Sequence, residues 1–218
     1  MKLAVFGASG ATGRHLVRLA AASGMTVSAL LRSSASGSAI DGAKMLVIGD
    51  PTEPEDAAAT MKGAQAVAVC LGISRRSRSP FAPLISPPDL TSRATAAILT
   101  AMQGEGVRRI IYVSAFGAGD SWKKLPSWGR AFINVSQVKH SMVDHTRSEG
   151  LLAASGLDWT ALRPMFLDDK PSNEAARPMK EGDSLFSRVP REALARTILE
   201  MRDDPSTHQQ AIPLVGAG

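Results

Sequence analysis

A chain of 218 residues has the length of a single domain, and at that size it needs no metal or disulfide to hold a core. Its one cysteine, Cys70, excludes an intramolecular disulfide and a multi-cysteine metal site, and fits a reducing compartment. Hydrophobic residues at 44% and charged residues at 21% exclude a disordered chain, and a net charge of +5 with no long basic arm admits anionic ligands without pointing to nucleic acid.

In chain order, residues 2–6 are an apolar run that stops at Gly7. The run is too short for a signal-peptide core and reads as a buried parallel strand. Residues 11–22 carry Leu16, Leu19 and Ala20 at helical spacing. Residues 25–31 and 44–48 read as the second and third strands. Between the third and fourth lies a short helix, 53–61, opened by Pro51 and Pro54 with acids in its first turn. Residues 65–71 are a fourth strand, 89–103 a helix and 109–114 a fifth strand. Residues 128–154 are mostly helical and end at Ser155-Gly156, in the manner of a C-cap. A sixth strand at 159–162, a last helix at 190–201 and a final strand at 211–215 complete the chain.

This alternation predicts an α/β fold: a Rossmann-like, doubly wound parallel sheet with helices on both faces, in one domain spanning 1–218. Residues 73–88 and 165–188 are irregular and follow strands at their carboxyl ends, where open α/β sheets bind ligands. Residues 116–127 form a third loop on that side. No run approaches ~18 apolar residues, so no membrane span is expected and the cytoplasm is the expected address.

The first loop carries the phosphate chemistry. Gly7-Ala8-Ser9-Gly10-Ala11-Thr12-Gly13 sits between the first strand and the first helix, with glycines spaced G-x-x-G-x-x-G. Glycine permits the tight turn and lets backbone N–H groups approach a pyrophosphate at a helix N-terminus. The position, directly after a strand and opening a helix, points to a dinucleotide rather than to an empty Gly-rich turn. At the end of the second strand an NAD site would place an acid, and here Arg32 stands before Ser33 and Ser34. A guanidinium with neighbouring hydroxyls suits the 2′-phosphate of NADP(H), the alternative being a solvated surface arginine. Asp50 can accept from the adenine amino group or cap the turn before Pro51. Leu71 and Gly72 end the fourth strand, where glycine lets backbone pass close to the cofactor. Cys70 reads as a small buried residue rather than a reactive thiol.

With these residues in view, the chain resembles the atypical short-chain dehydrogenase/reductase superfamily in its NmrA-like branch, and within that the NADPH-dependent flavin reductases (biliverdin reductase B). The resemblance rests on residues 5–13, 29–32 and 49–50, on Val113-Ser114-Ala115-Phe116, on 155–164, and on 189–195. It implies a sheet of six or seven strands in the order 3-2-1-4-5-6, with Arg32 on the 2′-phosphate and Asp50 on the adenine. It also implies that Ser114 stands beside the nicotinamide, and that Pro164, Met165 and Phe166 line the ring from the other side.

Two departures bear on the chemistry. The Tyr-x-x-x-Lys pair of ordinary dehydrogenases is missing, its positions falling on Ser141 and His145, and the only tyrosine, Tyr112, lies inside the fifth strand. Alcohol dehydrogenase chemistry is thereby disfavoured. The flavin-reductase relatives also lack that pair, but they often carry a histidine where this chain has Met165. A thioether donates no proton, so relayed protonation of a tetrapyrrole is weakened more than flavin or quinone reduction.

On the acceptor side, Phe116, Trp122, Trp128 and Phe166 follow the fifth and sixth strands. Trp122 and Trp128 flank Leu125-Pro126 and read either as a flat aromatic wall or as core. Arg75, Arg76 and Arg78 form the sharpest charge feature, able to hold a flavin phosphate or substrate carboxylates, or simply a solvated loop. His145 reads as a pocket residue or a satisfied helix histidine, and the four histidines show no metal spacing. The expected protein is an NADPH-dependent reductase passing hydride to a flat conjugated acceptor such as flavin or quinone, with Ser114 as the candidate catalytic residue. The rivals are a non-catalytic NADP-binding redox sensor and, further off, a nucleotide-sugar epimerase or dehydratase. The expected partner is a small molecule, with no nucleic acid, membrane or metal, and the expected state is a monomer or weak homo-oligomer.

Overall fold

Apolar residues on both faces of the first strand dictate what covers it. Strands β1 (Lys2–Phe6), β2 (Thr26–Leu31) and β4 (Ala66–Val69) are buried along almost their whole length. Leu3 and Val5 point into one cluster, with Leu16 and Val17 of α1 (Ala11–Ala22) and Leu194 and Ile198 of α6 (Arg191–Arg202). Ala4 and Phe6 point the other way, against Met61 of α2 (Pro54–Met61), Ile98 and Met102 of α3 (Leu90–Glu105) and Leu152 of α5 (Val138–Ala154). Period-2 alternation in a doubly covered sheet therefore produces two cores, one per face. The computed structural model describes residues 1–33 and 40–217.

The sheet continues the predicted order. β3 (Met45–Ile48), β2, β1, β4, β5 (Arg109–Val113) and β6 (Asp158–Pro164) pair in parallel, and β10 (Gln210–Val215) extends the sheet beside β6. β8 (Arg177–Pro178) closes that edge in antiparallel sense against Leu214 and Val215. The order in which successive strands are laid down reverses between β1 and β4, which puts the crevice for a ligand at the carboxyl ends of those strands.

Two expectations change. The helix predicted over 128–154 is two helices, α4 (Ser127–Val135) and α5, because Ser136 takes extended backbone angles (φ −105°, ψ 169°) between them. Its hydroxyl then accepts from the N–H of Val138 at 3.3 Å. The stretch 165–188 is not wholly irregular: β7 (Phe166–Asp168) pairs in parallel with β9 (Arg188–Pro190), folding the segment back on itself.

At the opposite end of the sheet from the crevice, Arg109 of β5 is buried with all five donors used. It donates to the carbonyls of Asp158, Met201 and Arg202 and to the hydroxyls of Thr160 and Thr207. Met201 and Arg202 are the last residues of α6, so the guanidinium satisfies a helix C-terminus that would otherwise end in unpaired carbonyls.

Candidate functional site

The glycine turn has three glycines with three different duties. Gly7 takes φ +85°, and a Cβ there would stand 2.6 Å from the Cys70 carbonyl oxygen, so this position closes β1 against the end of β4. A Cβ on Gly13 would lie 2.2 Å from the Gly7 carbonyl oxygen, which makes Gly13 the contact that lets α1 pack onto the turn. Gly10 is the N-cap of α1, with an ordinary φ of −71° and no side-chain cap. Its N–H donates to Gly7 O at 3.0 Å, and Arg14 Nε braces the turn through Ser9 O at 2.9 Å. The N–H groups of Ala11, Thr12 and Gly13 are in the first turn of the helix, which leaves them without an intrahelical acceptor. Dipole and donors together make an anion cradle.

Part of the set expected at the cofactor meets at that cradle, while Asp50, Ser114, Pro164 and Met165 do not line its cleft. Gly7, Ser9, Gly10, Arg32, Leu71 and Gly72 line one cleft, together with Pro51, Ser74 and Leu90, which sequence reasoning did not single out. Arg32 is exposed at the end of β2. Ser33 follows it within the described chain, and Ser34 lies outside the described residues. Asp50 has one carboxylate oxygen committed to a turn, accepting from Thr52 N and Thr52 Oγ1, each at 2.8 Å. Those bonds, with Arg93 and Arg32 nearby, hold its carboxyl below the usual carboxylate range. One oxygen of Asp50 thus serves the turn, which leaves the other for a ligand. Cys70 is half-buried, and burial pushes its thiol up to about 12, so it carries no thiolate at neutral pH.

Ser114 directly follows β5 and is only 4% exposed. Its Oγ donates to Glu149 Oε1 at 2.7 Å. Glu149, from α5, also receives Arg163 Nε at 2.9 Å and Arg163 Nη2 at 2.6 Å, and Arg163 Nη1 reaches Asp120 at 2.6 Å. Burial works against the Arg163 charge, but the bonds to Glu149 and Asp120 outweigh it and hold the guanidinium above its ordinary value. Arg163 in turn draws the Asp120 carboxyl down. With its proton given to Glu149, the Ser114 oxygen has only lone pairs left for a ligand. In this arrangement it can accept a hydrogen bond from a ligand. Glu149 and Arg163 are separated by 14 residues in sequence and carry no local pattern that names them as a pair.

The positions that replace the dehydrogenase pair are used differently. His145 is buried and 2.6 Å from the Tyr112 hydroxyl. Burial depresses the imidazole and raises the phenol, so the neutral ring accepts from the phenolic O–H. Beside them Asp144, also buried, caps α3 from across the interface, accepting from Thr91 N at 2.7 Å and Ser92 N at 3.1 Å. This network holds α5 to α3 and β5, and its His145 is a satisfied helix histidine.

The acceptor-side residues divide. Phe116 is buried, with its N–H on Pro164 O at 3.0 Å, so its ring presents no open wall. Trp122 lines a separate pocket with Gly117, Ile133 and Met142. Trp128 and Phe166 do come together, through Phe186. Trp128 stacks on Phe186 at 5.7 Å and 6°, and Phe186 on Phe166 at 6.5 Å and 4°. The three rings are 59%, 63% and 52% exposed, and Phe166 follows directly on Pro164 and Met165 in the chain. Phe186 lies in a polar stretch and gave no sequence signal. The arginines do not converge: Arg75 sits in a β-bridge to Leu84, Arg76 is exposed, and Arg78 pairs with Asp169 at 3.1 Å. Asp169 also takes Arg191 at 2.6 Å, which ties the loop 73–88 to the loop 165–188. Among the described residues no group of His, Cys, Asp and Glu gathers into a metal site, and no helix is long and apolar enough to cross a membrane.

Comparison with known proteins agrees with this geometry. Residues 7–205 match the NAD(P)H-binding family model. A Bacillus subtilis protein described as an uncharacterized sugar epimerase, YhfK, is 27% identical over 217 residues, covering 98% of this chain and 94% of its own. Among solved structures, the anaerobilin reductase ChuY from Escherichia coli O157:H7 superposes with a TM-score of 0.80 at 22% identity, covering all of this chain and 98% of that one. A short-chain dehydrogenase/reductase from Veillonella parvula in complex with NADP superposes with a TM-score of 0.76 at 18% identity, covering all of this chain and 95% of that one. The match spans the glycine turn, the crevice and both cores, and on it the chain belongs to the NAD(P)H-binding family of Rossmann-fold proteins.

Proposed function

We propose that this protein is an NADPH-dependent reductase of a flat, conjugated acceptor, a flavin first and a quinone second. The cradle fits the cofactor: a side chain at Gly7 or Gly13 would collide with backbone, and the helix N-terminus beyond Gly10 is open to an anion. Gly10, Ala11 and Thr12 would hold the pyrophosphate, Arg32 with Ser33 the 2′-phosphate, and Asp50 the adenine edge. Leu71 and Gly72 would carry the backbone past the cofactor, and Ser114, Pro164 and Met165 would border the nicotinamide. When bound, NADPH supplies a hydride to the acceptor. Ser114, its proton held by Glu149, would accept from an N–H of the carboxamide or of the acceptor and so orient it.

One observation carries the acceptor class: the exposed stack of Trp128, Phe186 and Phe166 beside Met165. A ladder of parallel rings in solvent offers a face to a planar molecule rather than to a sugar. Met165, beside Phe166 in the chain, has no proton to give, so the acceptor would take its proton from water, which a flavin or quinone tolerates. NADPH oxidation followed optically against flavins, quinones and biliverdins tests the reading, and turnover with none of them sinks it.

The commitment of Ser114 to Glu149 and of His145 to Tyr112 favours a second reading, a redox sensor that binds NADP without turnover. Retained NADPH affinity with no turnover on that panel is its signature. The epimerase named for the Bacillus relative would need a base at the sugar hydroxyl, and this chain has Ser141 and a buried His145 at the usual positions.

A further inference from the structure

We infer that the protein has a second ligand site, for a small amphipathic carboxylate, in the pocket between the turn Gly119–Lys124, α4 and α5. The pocket has a volume of about 390 Å³, within the range of small-molecule sites. Trp122, Ile133, Met142 and Val143 make its walls apolar, and Lys139 and Arg147 stand at its exposed edge.

Charge decides the occupant. The acidic groups on the neighbouring elements are already engaged. Asp120 and Glu149 bind Arg163, and Asp144 faces away to cap α3. Among the described residues neither Lys139 nor Arg147 has an anionic partner. An apolar hollow with two uncompensated cations at its mouth matches a molecule with an apolar tail and one anionic head. A neutral molecule of the same shape leaves the cations unmatched, and an amine is repelled. The pocket shares no lining residue with the cofactor cleft, so the two can be filled together. The assignment does not depend on the reductase reading.

Calorimetric titration of octanoate, octanol and octylamine into the full chain, with and without saturating NADPH, tests it. Octanoate should bind roughly 10-fold tighter than octanol, the scale of two exposed ion pairs, with octylamine weakest. The preference should shrink in about 0.5 M salt and vanish in K139E/R147E, while NADPH leaves it unchanged. Val143→Glu, which places an anion at the exposed mouth, should abolish octanoate binding in a protein that is folded by circular dichroism. Equal affinity for octanoate and octanol, or a preference that survives K139E/R147E, overturns the assignment. Displacement of octanoate by NADPH overturns it too, because the ligand would then sit in the cofactor cleft.

Discussion

At the scale of single residues, Arg32 and His145 make separable claims. Arg32→Glu should weaken NADPH binding by roughly 10- to 150-fold, the worth of a charge-assisted hydrogen bond of about 1.5–3 kcal/mol, and leave NADH unchanged or improved. Fluorescence titration of both cofactors decides it, and equal losses for the two would remove Arg32 from the 2′-phosphate. His145 bears on pH instead. Its folded pKa lies below the ordinary 6.5 because the ring is buried, so the unfolded chain takes up the proton first. Stability from this group is whole above pH ~6.5 and is lost as pH falls toward the folded value. Urea midpoints should therefore drop from pH 7.5 to pH 5.5 by more in the wild type than in His145→Gln, and parallel drops would show that another group governs acid sensitivity. The residues that carry these claims differ in how far sequence revealed them. Arg32 stood out because a fixed offset from the glycine turn defines its place. Glu149 did not, because its partners Ser114 and Arg163 arrive from two other elements and no spacing along the chain encodes their meeting.

At the scale of elements, the strand–turn–helix unit that opens the chain was legible because a buried run, a glycine turn and a helical period follow each other within residues 2–22. The division of labour inside the turn was not, since all three glycines look alike on paper. Gly10→Val should still fold, because its backbone is ordinary and its Cβ would meet only the Gly7 carbonyl oxygen, at 3.1 Å, and it should lose NADPH, because the added group crowds the helix N-terminus. Gly13→Val should fail to fold, because its Cβ would overlap the Gly7 carbonyl. Circular dichroism with cofactor titration separates the two, and a Gly10→Val protein that binds NADPH normally would move the phosphate site elsewhere. The break between α4 and α5 escaped sequence reading because neither proline nor glycine marks it. β7 and β9 escaped because strands of three residues, paired across some twenty residues, carry no periodicity.

For the molecule as a whole, strand order followed from the alternation of strands and helices, together with the family resemblance; the final strand was expected too, and what the structure added to that sheet is its place beside β6 and the antiparallel edge strand β8. Because the cleft exists only in the folded chain, ligand binding and folding are linked. NADPH at about 100 times its dissociation constant should add about 2.7 kcal/mol. For a chain of this size that raises Tm by roughly 5–11 °C. The same concentration of NADH should raise it less, and Arg32→Glu should erase the difference; equal shifts in the wild type would refute the NADPH preference. The Arg109 side chain carries another global consequence. It hangs from β5 and ends on the last carbonyls of α6, so that helix cannot lift away without taking two of the five acceptors from a buried cation. The carboxyl-terminal third thus has no private route to opening. In native-state hydrogen exchange, the α6 amides should report the same free energy as those of β1 and β5. In Arg109→Ala they should exchange through a cheaper, local event while the β1 amides stay protected. Such a clasp turns what could be two cooperative blocks, one made by residues before β5 and one by those after it, into a single melting unit.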